Sequence, residues 1–321
     1  MYDIIIIGGG PAAVAALVYA ARKKLQTLLV TEAFGGQSVV SSDIQNWIGE
    51  SHISGIELAE KFEKHVRSFP DVTVKNGEKA VAIREIACME DRMCDFEVET
   101  TTGARYQGKS LILAMGARRR RLGVPGEDQF DGKGVAFCST CDAPLFNGKK
   151  VAVIGGGNAG LEAVMDLVPY ATQIYVLQRG EVLKADQSAQ DEVKKIEKVA
   201  VIFNAVTKEI RGDQFVKGLM YQDEKTGETK ELEVQGVFVE TGSVPNSEMV
   251  KDLIELDQWG QVKVDCKYAT TSHPGIFSAG DITEDPFKQN NISAGDGVRA
   301  ALSAYMYLQK REKKSPAAEG A

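Results

Sequence analysis

Short runs of apolar residues recur along the chain, each followed by small residues. The two clearest runs are Ile4 to Ile7 and Val151 to Ile154. A continuous run of this length is typical of a strand that is buried on both faces of a parallel sheet. After each run comes a glycine-rich turn and then an alanine-rich stretch, which predicts helices over Ala12 to Lys24 and Ala159 to Leu167. The pattern therefore predicts two copies of one strand, turn and helix unit.

Further apolar segments alternate with helical stretches, namely TLLVTE, KSLILAMG, QIYVLQ, GVFVETG and GIFSAG. This alternation predicts an α/β fold with two Rossmann-like dinucleotide-binding domains of the doubly wound type. The segments Ala117 to Glu127 and Thr241 to Glu248 contain the Gly, Pro and Asn residues typical of crossings between domains. We therefore expect a discontinuous domain of residues 1–116 and 245–321 and an inserted domain of residues 117–244. The charged tail, residues 311–321, is predicted to be disordered.

Composition and charge narrow the class of protein. The chain has 321 residues, of which 43% are hydrophobic and 26% charged, and its net charge is −7. These values indicate a packed globular protein and make nucleic acid an improbable partner. No apolar run approaches the roughly 20 residues of a membrane-spanning helix, so we expect no membrane association. The first residues lead directly into a strand, which leaves no room for a signal peptide, and we expect a cytoplasmic protein.

The first glycine-rich turn fits a dinucleotide-binding motif. Gly8, Gly10 and Ala13 follow the pattern G-x-G-x-x-G/A directly after a strand, and Glu32 ends the next strand, 22 residues after Gly10. In such motifs the glycines let the backbone approach a pyrophosphate, and the acid accepts a hydrogen bond from a ribose hydroxyl. The alternative is a glycine-rich turn without a ligand. The placement of strand, helix and acid favours the dinucleotide site.

The second turn repeats the motif with one difference. Gly155, Gly157 and Gly160 fit the glycine pattern, but the following strand ends in Gln178 and Arg179 instead of an acid. Two dinucleotide sites in one chain indicate a bound FAD that receives electrons from NAD(P)H. A duplicated turn that has lost its ligand is the alternative.

Two of the five cysteines, Cys138 and Cys141, form a C-x-x-C motif. An odd number of cysteines without an export signal makes a structural disulfide framework improbable, and the other three cysteines are interpreted as structural or incidental. Zinc is disfavoured because no second ligand pair exists, which leaves two ordinary thiols or a redox-active pair. Beside two nucleotide sites, the redox pair is favoured. Asp142 follows directly and is either the proton-transfer group or a helix-start carboxylate.

The four arginines at 118–121 are interpreted as a solvated turn, with a basic patch as the alternative.

These motifs together resemble the low-molecular-weight thioredoxin reductases, and especially the reductase portion of the flavoprotein component of alkyl hydroperoxide reductase. The resemblance rests on GGGPAA, FGGQ, QNWIG, CSTCD, VIGGGNAG, GSVPN, and SAGD followed by KQ, in family order. It implies an FAD domain made of both chain ends, an inserted NAD(P)H domain that contains the cysteine pair, and a homodimer. It also implies that the inserted domain rotates about hinges near Gly116 and Gly242. The departures are Ala143, where the family usually has Gly, and AMG in place of the commoner ATG.

The resemblance also assigns roles to individual residues. Cys138 attacks the partner disulfide, Cys141 faces the flavin, and Asp142 is the acid. Because the family's thioredoxin-like extension is missing from this sequence, we expect the disulfide partner, a thioredoxin or a glutaredoxin-like protein, to be a separate chain. The further cofactor-binding residues are Gly35, Gly36, Gln37, Asn46, Gly116, Asn158, Gly242, Gly280, Asp281, Lys288 and Gln289.

The choice of coenzyme depends on the residues after QIYVL. NADP-using thioredoxin reductases typically have a His-Arg-Arg run here, where this chain has Gln178, Arg179 and Gly180, followed by Glu181. One arginine is missing, and a glutamate opposes the 2′-phosphate. The neutral Gln178 stands where NADH-using relatives usually place a glutamate that repels this phosphate. We therefore predict a preference for NADH with measurable use of NADPH.

Overall fold

The computed structural model describes residues 1–41 and 43–314, with the side chain of residue 90 excepted. The chain divides into two compact units. The first unit contains Met1–Ser41, Trp47–Arg118 and the chain from Val244 onward. The second contains residues 43–46 and Arg119–Ser243.

The helices and strands follow one another along the chain in this order. The first half contains β1 (Ile4–Ile7), α1 (Pro11–Arg22), β2 (Thr27–Thr31), α2 (Gly55–Arg67), β3 (Thr73–Asn76), β4 (Ala80–Cys88), β5 (Cys94–Thr100), β6 (Arg105–Gly108), β7 (Leu111–Leu113), β8 (Ala117–Arg119), β9 (Val135–Ala136), α3 (Ser139–Asp142), β10 (Lys150–Ile154) and α4 (Asn158–Leu167). The second half contains β11 (Gln173–Gln178), α5 (Gln187–Val193), β12 (Val199–Phe203), β13 (Ala205–Gly212), β14 (Val216–Asp223), β15 (Thr229–Glu233), β16 (Gly236–Val239), β17 (Ser243–Pro245), β18 (Ile276–Ser278) and α6 (Asn290–Lys314). Short 3₁₀ helices cover Gly36–Val40, Glu90–Arg92, Ala143–Phe146 and Glu248–Val250.

The first unit is built on a parallel sheet of five strands in the order β18-β7-β1-β2-β3. All four residues of β1 are buried, as expected for the central strand of a sheet that is covered on both faces. Helix α6 packs closely on α1, since a Cβ atom on Gly297 would come within 2.0 Å of the Ala12 carbonyl oxygen. The strands β4, β5 and β6 form a separate antiparallel sheet in the same unit.

The second unit repeats the parallel design. Its sheet has the order β12-β11-β10-β16-β9, and every pairing in it is parallel. Helix α4 follows β10 and buries Leu161, Val164 and Leu167 in the apolar core beside this sheet. An antiparallel sheet of β13, β14 and β15 completes the unit. The predicted α/β fold with two Rossmann-like cores is confirmed.

Several local expectations differ from the structure. Helix α1 ends at Arg22, two residues before the predicted end, because Lys24 has a left-handed backbone with φ of 61°. Cys88 and Cys94, which were interpreted as structural or incidental in a chain where a disulfide framework was considered improbable, form a disulfide across β4 and β5. Helix α6 continues through Lys314 into the predicted disordered tail, whose residues 315–321 lie outside the described part of the chain.

The described helices were also compared with the requirements of a membrane crossing. Within residues 1–41 and 43–314, none combines sufficient length with sufficient apolar character.

Candidate active site

The first glycine turn brings backbone atoms of three segments together at the N-terminus of α1. Gly10 is the N-cap of this helix and provides no side-chain cap, so backbone N–H groups of the first turn stay open. A Cβ atom on Gly36 would lie 3.3 Å from the Gly10 Cα. Gly8 has φ of 131°, and a Cβ atom there would come within 2.1 Å of the Ala114 carbonyl oxygen. Ala13 is fully buried in the first turn of the helix. At Gly8 and Gly36 the packing leaves little room for a side chain, so the backbone of the turn stays accessible at the helix N-terminus. This arrangement fits the pyrophosphate of a dinucleotide.

Gly35 and Gln37 belong to the segment that meets this turn. Gly35 has φ of 96°, and its N–H donates to the Gly9 carbonyl at 2.9 Å. The Gln37 amide nitrogen donates to the Ala117 carbonyl, while its Oε1 is buried and has no partner among the described residues. A buried acceptor without a partner costs free energy unless a ligand donates to it, so Gln37 fits a residue that contacts a bound cofactor.

Among the residues of the C-terminal segment that are predicted near the flavin, Gly280 lies close to α1. Gly280, with φ of 77°, would place a Cβ atom 3.1 Å from that of Ala12. Asp281 accepts a hydrogen bond from the Ser293 hydroxyl at 3.2 Å. Lys288 Nζ donates to the Thr283 carbonyl at 2.6 Å, and the Gln289 carbonyl accepts from the Ser293 N–H at 2.9 Å. Asn46 differs, since it is exposed and groups with the second unit.

Glu32 lies at the carboxyl end of β2, beside an open cleft of about 400 Å³. Phe34, Val39, Ile56 and Ala59 contribute to the lining of this cleft. The Glu32 side chain is 72% exposed, with Lys79 Nζ 3.8 Å from its carboxylate. An exposed carboxylate at this end of the second strand is positioned to accept hydrogen bonds from a ribose. The first unit therefore fits FAD at both the pyrophosphate and the ribose.

The second glycine turn lies at the N-terminus of α4, where Gly157 is the N-cap and again provides no side-chain cap. Gly155 has φ of 127°, and a Cβ atom on it would come within 2.4 Å of the Glu240 carbonyl oxygen. A Cβ atom on Gly160 would come within 1.9 Å of the Gly155 carbonyl oxygen. The close packing of turn, helix and strand repeats that of the first unit, so this turn also fits a dinucleotide.

Both polar atoms of the Gln178 side chain form hydrogen bonds within the protein. It is buried, its Oε1 accepts from the Gly156 N–H at 3.1 Å, and its Nε2 donates to the Val182 carbonyl at 2.9 Å. Asn158 is also engaged, because its side chain forms hydrogen bonds of 2.8 and 3.1 Å with Asp186. Both side chains hold the loop after β11 against the glycine turn and thereby shape the predicted coenzyme site.

Arg179 and Glu181 lie on that loop. Arg179 is exposed, and no ion pair forms on it within the described residues. Glu181 pairs with Lys225 at 2.8 Å, which lowers the pKa of its carboxyl, chiefly through this hydrogen bond. The negative charge that the sequence places beside the coenzyme is therefore partly balanced by Lys225.

Gly116 and Gly242, which the family resemblance assigns to hinges, both have left-handed backbones. Their φ angles are 62° and 93°, and an added Cβ atom on either would meet nothing within 4 Å. Here glycine is required by backbone conformation and not by crowding.

The cysteine pair lies on the short helix α3. Cys138 is its N-cap, and a disulfide joins Cys138 to Cys141, whose Cα atoms are 5.3 Å apart. The hydroxyl groups of Ser139 and Thr140 donate to the same oxygen of Asp166 at 2.8 and 2.9 Å. Asp166 belongs to the last turn of α4, so these bonds hold α3 against the C-terminal end of that helix.

Asp142 ends α3, and burial raises the pKa of its carboxyl to about 6. Asp131 raises this pKa further, whereas Arg119 opposes the rise. A carboxyl group with a pKa near neutrality can both hold and release a proton at the cysteine pair. The proton-transfer role of Asp142 therefore stays a prediction, with which its raised pKa is compatible.

Sequence reasoning missed Arg119 and Glu240. Of the arginines at 118–121, three are exposed, as predicted for a solvated segment, and Arg118 and Arg121 pair with Glu248 and Asp131. Arg118 and Arg119 lie in β8 and not in a turn, and the charge of the half-buried Arg119 lowers the pKa of both Asp142 and Glu240. Glu240 directly follows the buried strand β16. The one available signal was an acidic residue at the carboxyl end of an apolar strand in GVFVETG.

Comparison with known proteins defines the class. Residues 2–304 match the pyridine nucleotide-disulphide oxidoreductase family. The chain is 36% identical to a thioredoxin reductase from Streptococcus pyogenes MGAS5005, whose crystal structure it matches over 97% of this chain and 99% of that one with a TM-score of 0.87.

Two similar proteins are longer than this chain. An NADH dehydrogenase from Bacillus subtilis (strain 168) is 44% identical over 307 residues, and a component of the alkyl hydroperoxide reductase of Escherichia coli (strain K12) is 41% identical over 308 residues. These matches cover 96% of this chain but only 58% of either relative. The chain belongs to the pyridine nucleotide-disulphide oxidoreductase family, which confirms the predicted resemblance, and membership implies FAD and NAD(P)H as cofactors.

Proposed function

We propose that this chain is an FAD-dependent NAD(P)H:disulfide oxidoreductase that reduces a disulfide in a protein of the thioredoxin or glutaredoxin type. The observation that carries the proposal is the Cys138–Cys141 disulfide beside Asp142, in the unit that also contains the second glycine turn. Family membership and the likeness to a thioredoxin reductase support it.

The first unit binds and orients the flavin. FAD, when bound, supplies the two-electron chemistry that connects a nicotinamide to a disulfide. The open N–H groups at the start of α1 bind its pyrophosphate, and Glu32 accepts hydrogen bonds from its ribose. Gln37 provides a hydrogen-bond acceptor through its unpartnered Oε1, and Asp281 provides a carboxylate. Residues 1–116 and 245–321 form the proposed FAD domain, and residues 117–244 form the proposed NAD(P)H domain.

The cysteine pair carries electrons to the partner. Two electrons and two protons convert the Cys138–Cys141 disulfide to two thiols. The Cys138 thiolate attacks the partner disulfide, which forms a mixed disulfide and releases one partner thiolate. Cys141 then attacks Cys138, restores the internal disulfide and releases the reduced partner. Asp142 donates a proton to the departing thiolate and accepts one from a cysteine thiol.

A Cys138→Ser variant tests this route. The variant is expected to retain flavin reduction by NADH. Its rate of protein-disulfide reduction is expected to be at least about a hundredfold lower, because a serine hydroxyl does not exchange with disulfides. Stopped-flow absorbance of the flavin and steady-state reduction of a thioredoxin provide the two readouts. Cys266→Ser, at an exposed free cysteine, is the matched control. Unchanged turnover in Cys138→Ser would refute the proposal.

A Cys141→Ser variant identifies the partner. With the resolving thiol removed, Cys138 is expected to accumulate a mixed disulfide with a small thioredoxin-fold protein. Mass spectrometry of the adduct from lysate is the measurement. Recovery of low-molecular-weight thiols alone would count against a protein substrate.

The coenzyme proposal remains a preference for NADH with measurable use of NADPH. Arg179 supplies one exposed cation for a 2′-phosphate, and Gly180 supplies none. An added Cβ atom at Gly180 meets only the Gln178 amide nitrogen at 3.4 Å, an ordinary contact, so an arginine fits there. Gly180→Arg is expected to raise kcat/KM for NADPH relative to NADH by about tenfold to a hundredfold.

The control for this substitution is Gln214→Arg, which adds the same charge on the exposed turn between β13 and β14. Steady-state kinetics with both coenzymes is the measurement. A clear preference of the unsubstituted protein for NADPH would contradict the proposal.

A second candidate function is a flavin-dependent NAD(P)H oxidase or dehydrogenase of small molecules with non-catalytic cysteines. The relative named NADH dehydrogenase favours it. It predicts equal NADH consumption in the Cys138→Ser and unsubstituted proteins with a quinone or dioxygen as acceptor, and no protein-disulfide turnover in either.

The likeness to thioredoxin reductases also supports a homodimer, and dependence on NAD(P)H supports residence in the cytoplasm. Light scattering of the holoprotein is expected to give twice the 34.8 kDa of one chain. A mass of one chain would exclude the dimer.

A further inference from the structure

The hairpin of β4 and β5 brings three metal-binding side chains to one face. Its register pairs Glu85 with Phe96 and Cys88 with Cys94. Positions 85 and 88 would point to opposite faces of a regular strand, but the register shifts between Glu85 and Ala87, and the extra residue returns Cys88 to the face of Glu85. Glu85, Cys88 and Cys94 therefore share a face, and one ligand atom of each lies within 4.8 Å of the other two.

His273 orients the carboxylate of Glu85. Its ring is fully buried and packs edge to face against Phe96, with 5.2 Å between the ring centroids. The His273 Nδ1 accepts a hydrogen bond from the Gly275 N–H at 3.1 Å, so the proton of the neutral imidazole is on Nε2. Nε2 lies 2.8 Å from Glu85 Oε1 and therefore donates to it. Carboxylates that bind metals are commonly held by such a donor.

The second oxygen of Glu85 lies toward the cysteines. Oε2 is 4.0 Å from the Cys88 Sγ. Arg311 donates to the Cys94 carbonyl at 2.8 Å and fixes the backbone from which that thiol extends. Cys94 is buried, whereas Cys88 is exposed, so an ion from solvent can reach the pair. Arg92 Nη2 lies 3.9 Å from Oε1, and its charge opposes a cation only weakly, because its side chain is 64% exposed.

We propose that Cys88 and Cys94, once reduced, bind Zn²⁺ together with Glu85, and that the bound metal and the Cys88–Cys94 disulfide are alternative states of one site. Two thiolates and one carboxylate select Zn²⁺ over Mg²⁺ and Ca²⁺, which prefer oxygen ligands. Three protein ligands leave the fourth tetrahedral position to water. The inference does not depend on the proposed function, because these ligands lie in the first compact unit and the Cys138–Cys141 pair lies in the second.

The spacing of the ligand atoms suits a tetrahedral site. Zinc–ligand bonds of about 2.0 to 2.3 Å place the ligand atoms about 3.3 to 3.8 Å from one another. The 4.0 Å between Glu85 Oε2 and Cys88 Sγ is close to this range. Once the S–S bond is broken, rotation about the Cα–Cβ bond of the exposed Cys88 lets its sulfur adopt this spacing.

The two states interconvert with balanced electrons and protons. A dithiol breaks the Cys88–Cys94 bond, supplies two electrons and two protons, and itself becomes a disulfide. Zn²⁺ then bonds to both sulfurs, and the two thiol protons pass to water. A disulfide that accepts two electrons from the pair reverses the change and releases the metal, because sulfurs joined to each other are no longer thiolate ligands.

The test uses the holoprotein with Cys138→Ser and Cys141→Ser, so that the redox pair cannot bind the metal. The protein is reduced with a phosphine, which is then removed without oxygen, and is titrated with Co²⁺, whose visible bands report tetrahedral thiolate coordination. We expect one Co²⁺ per chain, displaced by Zn²⁺, and no such bands before reduction. Retained flavin absorbance shows that the protein is folded.

Further substitutions in this protein identify the ligands. Cys88→Ser is expected to weaken Co²⁺ binding at least about a hundredfold, and Glu85→Gln at least about tenfold, although glutamine still accepts from His273. The matched controls are Glu97→Gln, at an acid of β5 outside the group, and Cys266→Ser, at an exposed free cysteine. Each control is expected to change the affinity less than about twofold.

Absence of the Co²⁺ bands from the reduced protein would overturn the proposal, as would binding that survives Cys88→Ser. An effect of Glu85→Gln no larger than that of Glu97→Gln would also overturn it, because Glu85 would then not be a ligand. Equal bands before and after reduction would show that metal and disulfide are not alternatives. Since the readout needs neither coenzyme nor protein substrate, its failure is distinct from failure of the proposed function, which Cys138→Ser tests.

Discussion

At the scale of single residues, the second unit contains two carboxyl groups whose pKa values are raised toward neutral pH. Asp142 follows Cys141 directly, Glu240 follows β16 in the same unit, and burial raises their pKa values to about 6 and about 7. Arg119 faces both groups and limits the rise. Disulfide exchange consumes and releases protons in turn, so two groups that titrate in this range match its chemistry.

Asp142→Asn provides a test of this account through stability. Because the folded protein holds the Asp142 proton more tightly than the unfolded chain, the wild-type free energy of unfolding falls as the pH rises from about 4 to 6. Because asparagine does not ionise, the variant lacks this loss of stability. We expect it to be more stable than the wild type by about 3 kcal/mol at pH 8 but not at pH 3.5. Urea unfolding at both pH values measures the difference.

The control for this stability test is Asp128→Asn, at a carboxylate whose side chain is 91% exposed. We expect no gain from it at pH 8. A stability difference for Asp142→Asn that is equal at pH 3.5 and pH 8 would contradict the burial of a charged group at this position.

Sequence alone predicts some of these residues and misses others for a physical reason. Cys138, Cys141 and the glycines carry their chemistry in short local spacings, so they are visible without a fold. Arg119 influences the carboxyl groups of Asp142 and Glu240 across long stretches of chain, and no local pattern encodes such an approach. The Gln178 side chain forms hydrogen bonds with the Gly156 N–H and the Val182 carbonyl, and these could not be predicted because a position at a strand end does not reveal the direction of the side chain.

At the scale of elements, the parallel strands were the most predictable parts. The β-branched runs of β1 and β10 are buried on both faces, so hydrophobicity alone locates them. The antiparallel strand β4 is exposed at many positions, and Cys88 and Cys94 become neighbours only through the pairing of β4 with β5. The sequence therefore did not predict the disulfide between them, because an odd number of cysteines without an export signal favoured reduced thiols.

This disulfide is expected to stabilise the β4–β5 hairpin. Its cysteines are six residues apart, and closing a loop of this size in the unfolded chain corresponds to about 2 kcal/mol. Helix α6 also depends on the hairpin, because Arg311 donates to the Cys94 carbonyl at 2.8 Å. Cys88→Ser is therefore expected to lower the free energy of unfolding by about 2 kcal/mol without reductant and to differ little from the wild type once both are reduced.

Denaturant unfolding with and without a phosphine reductant measures this effect. Cys266→Ser, which removes a free exposed thiol, should match the wild type under both conditions. Equal stability of Cys88→Ser and the wild type without reductant would show that this disulfide does not form in solution.

At the scale of the whole molecule, the proposed function depends on the two glycine turns and the cysteine pair. Each turn lies in its own compact unit, and the cysteine pair shares a unit with the second turn. The likeness to a thioredoxin reductase extends over nearly the entire chain, whereas the longer relatives extend well beyond the matched region. The repeated strand, turn and helix pattern predicted the fold from sequence, but it does not encode which protein supplies the partner disulfide.

The central claim is that electrons from NAD(P)H reach the Cys138–Cys141 disulfide. The most direct measurement mixes oxidised holoprotein with one to two equivalents of NADH without oxygen, quenches with an alkylating reagent and locates the label by peptide mass spectrometry. The account predicts label on Cys138 and Cys141 within the time of flavin reduction and reoxidation, while Cys88 and Cys94 stay unlabelled. Flavin that is reduced by NADH while Cys138 and Cys141 remain joined would contradict the claim.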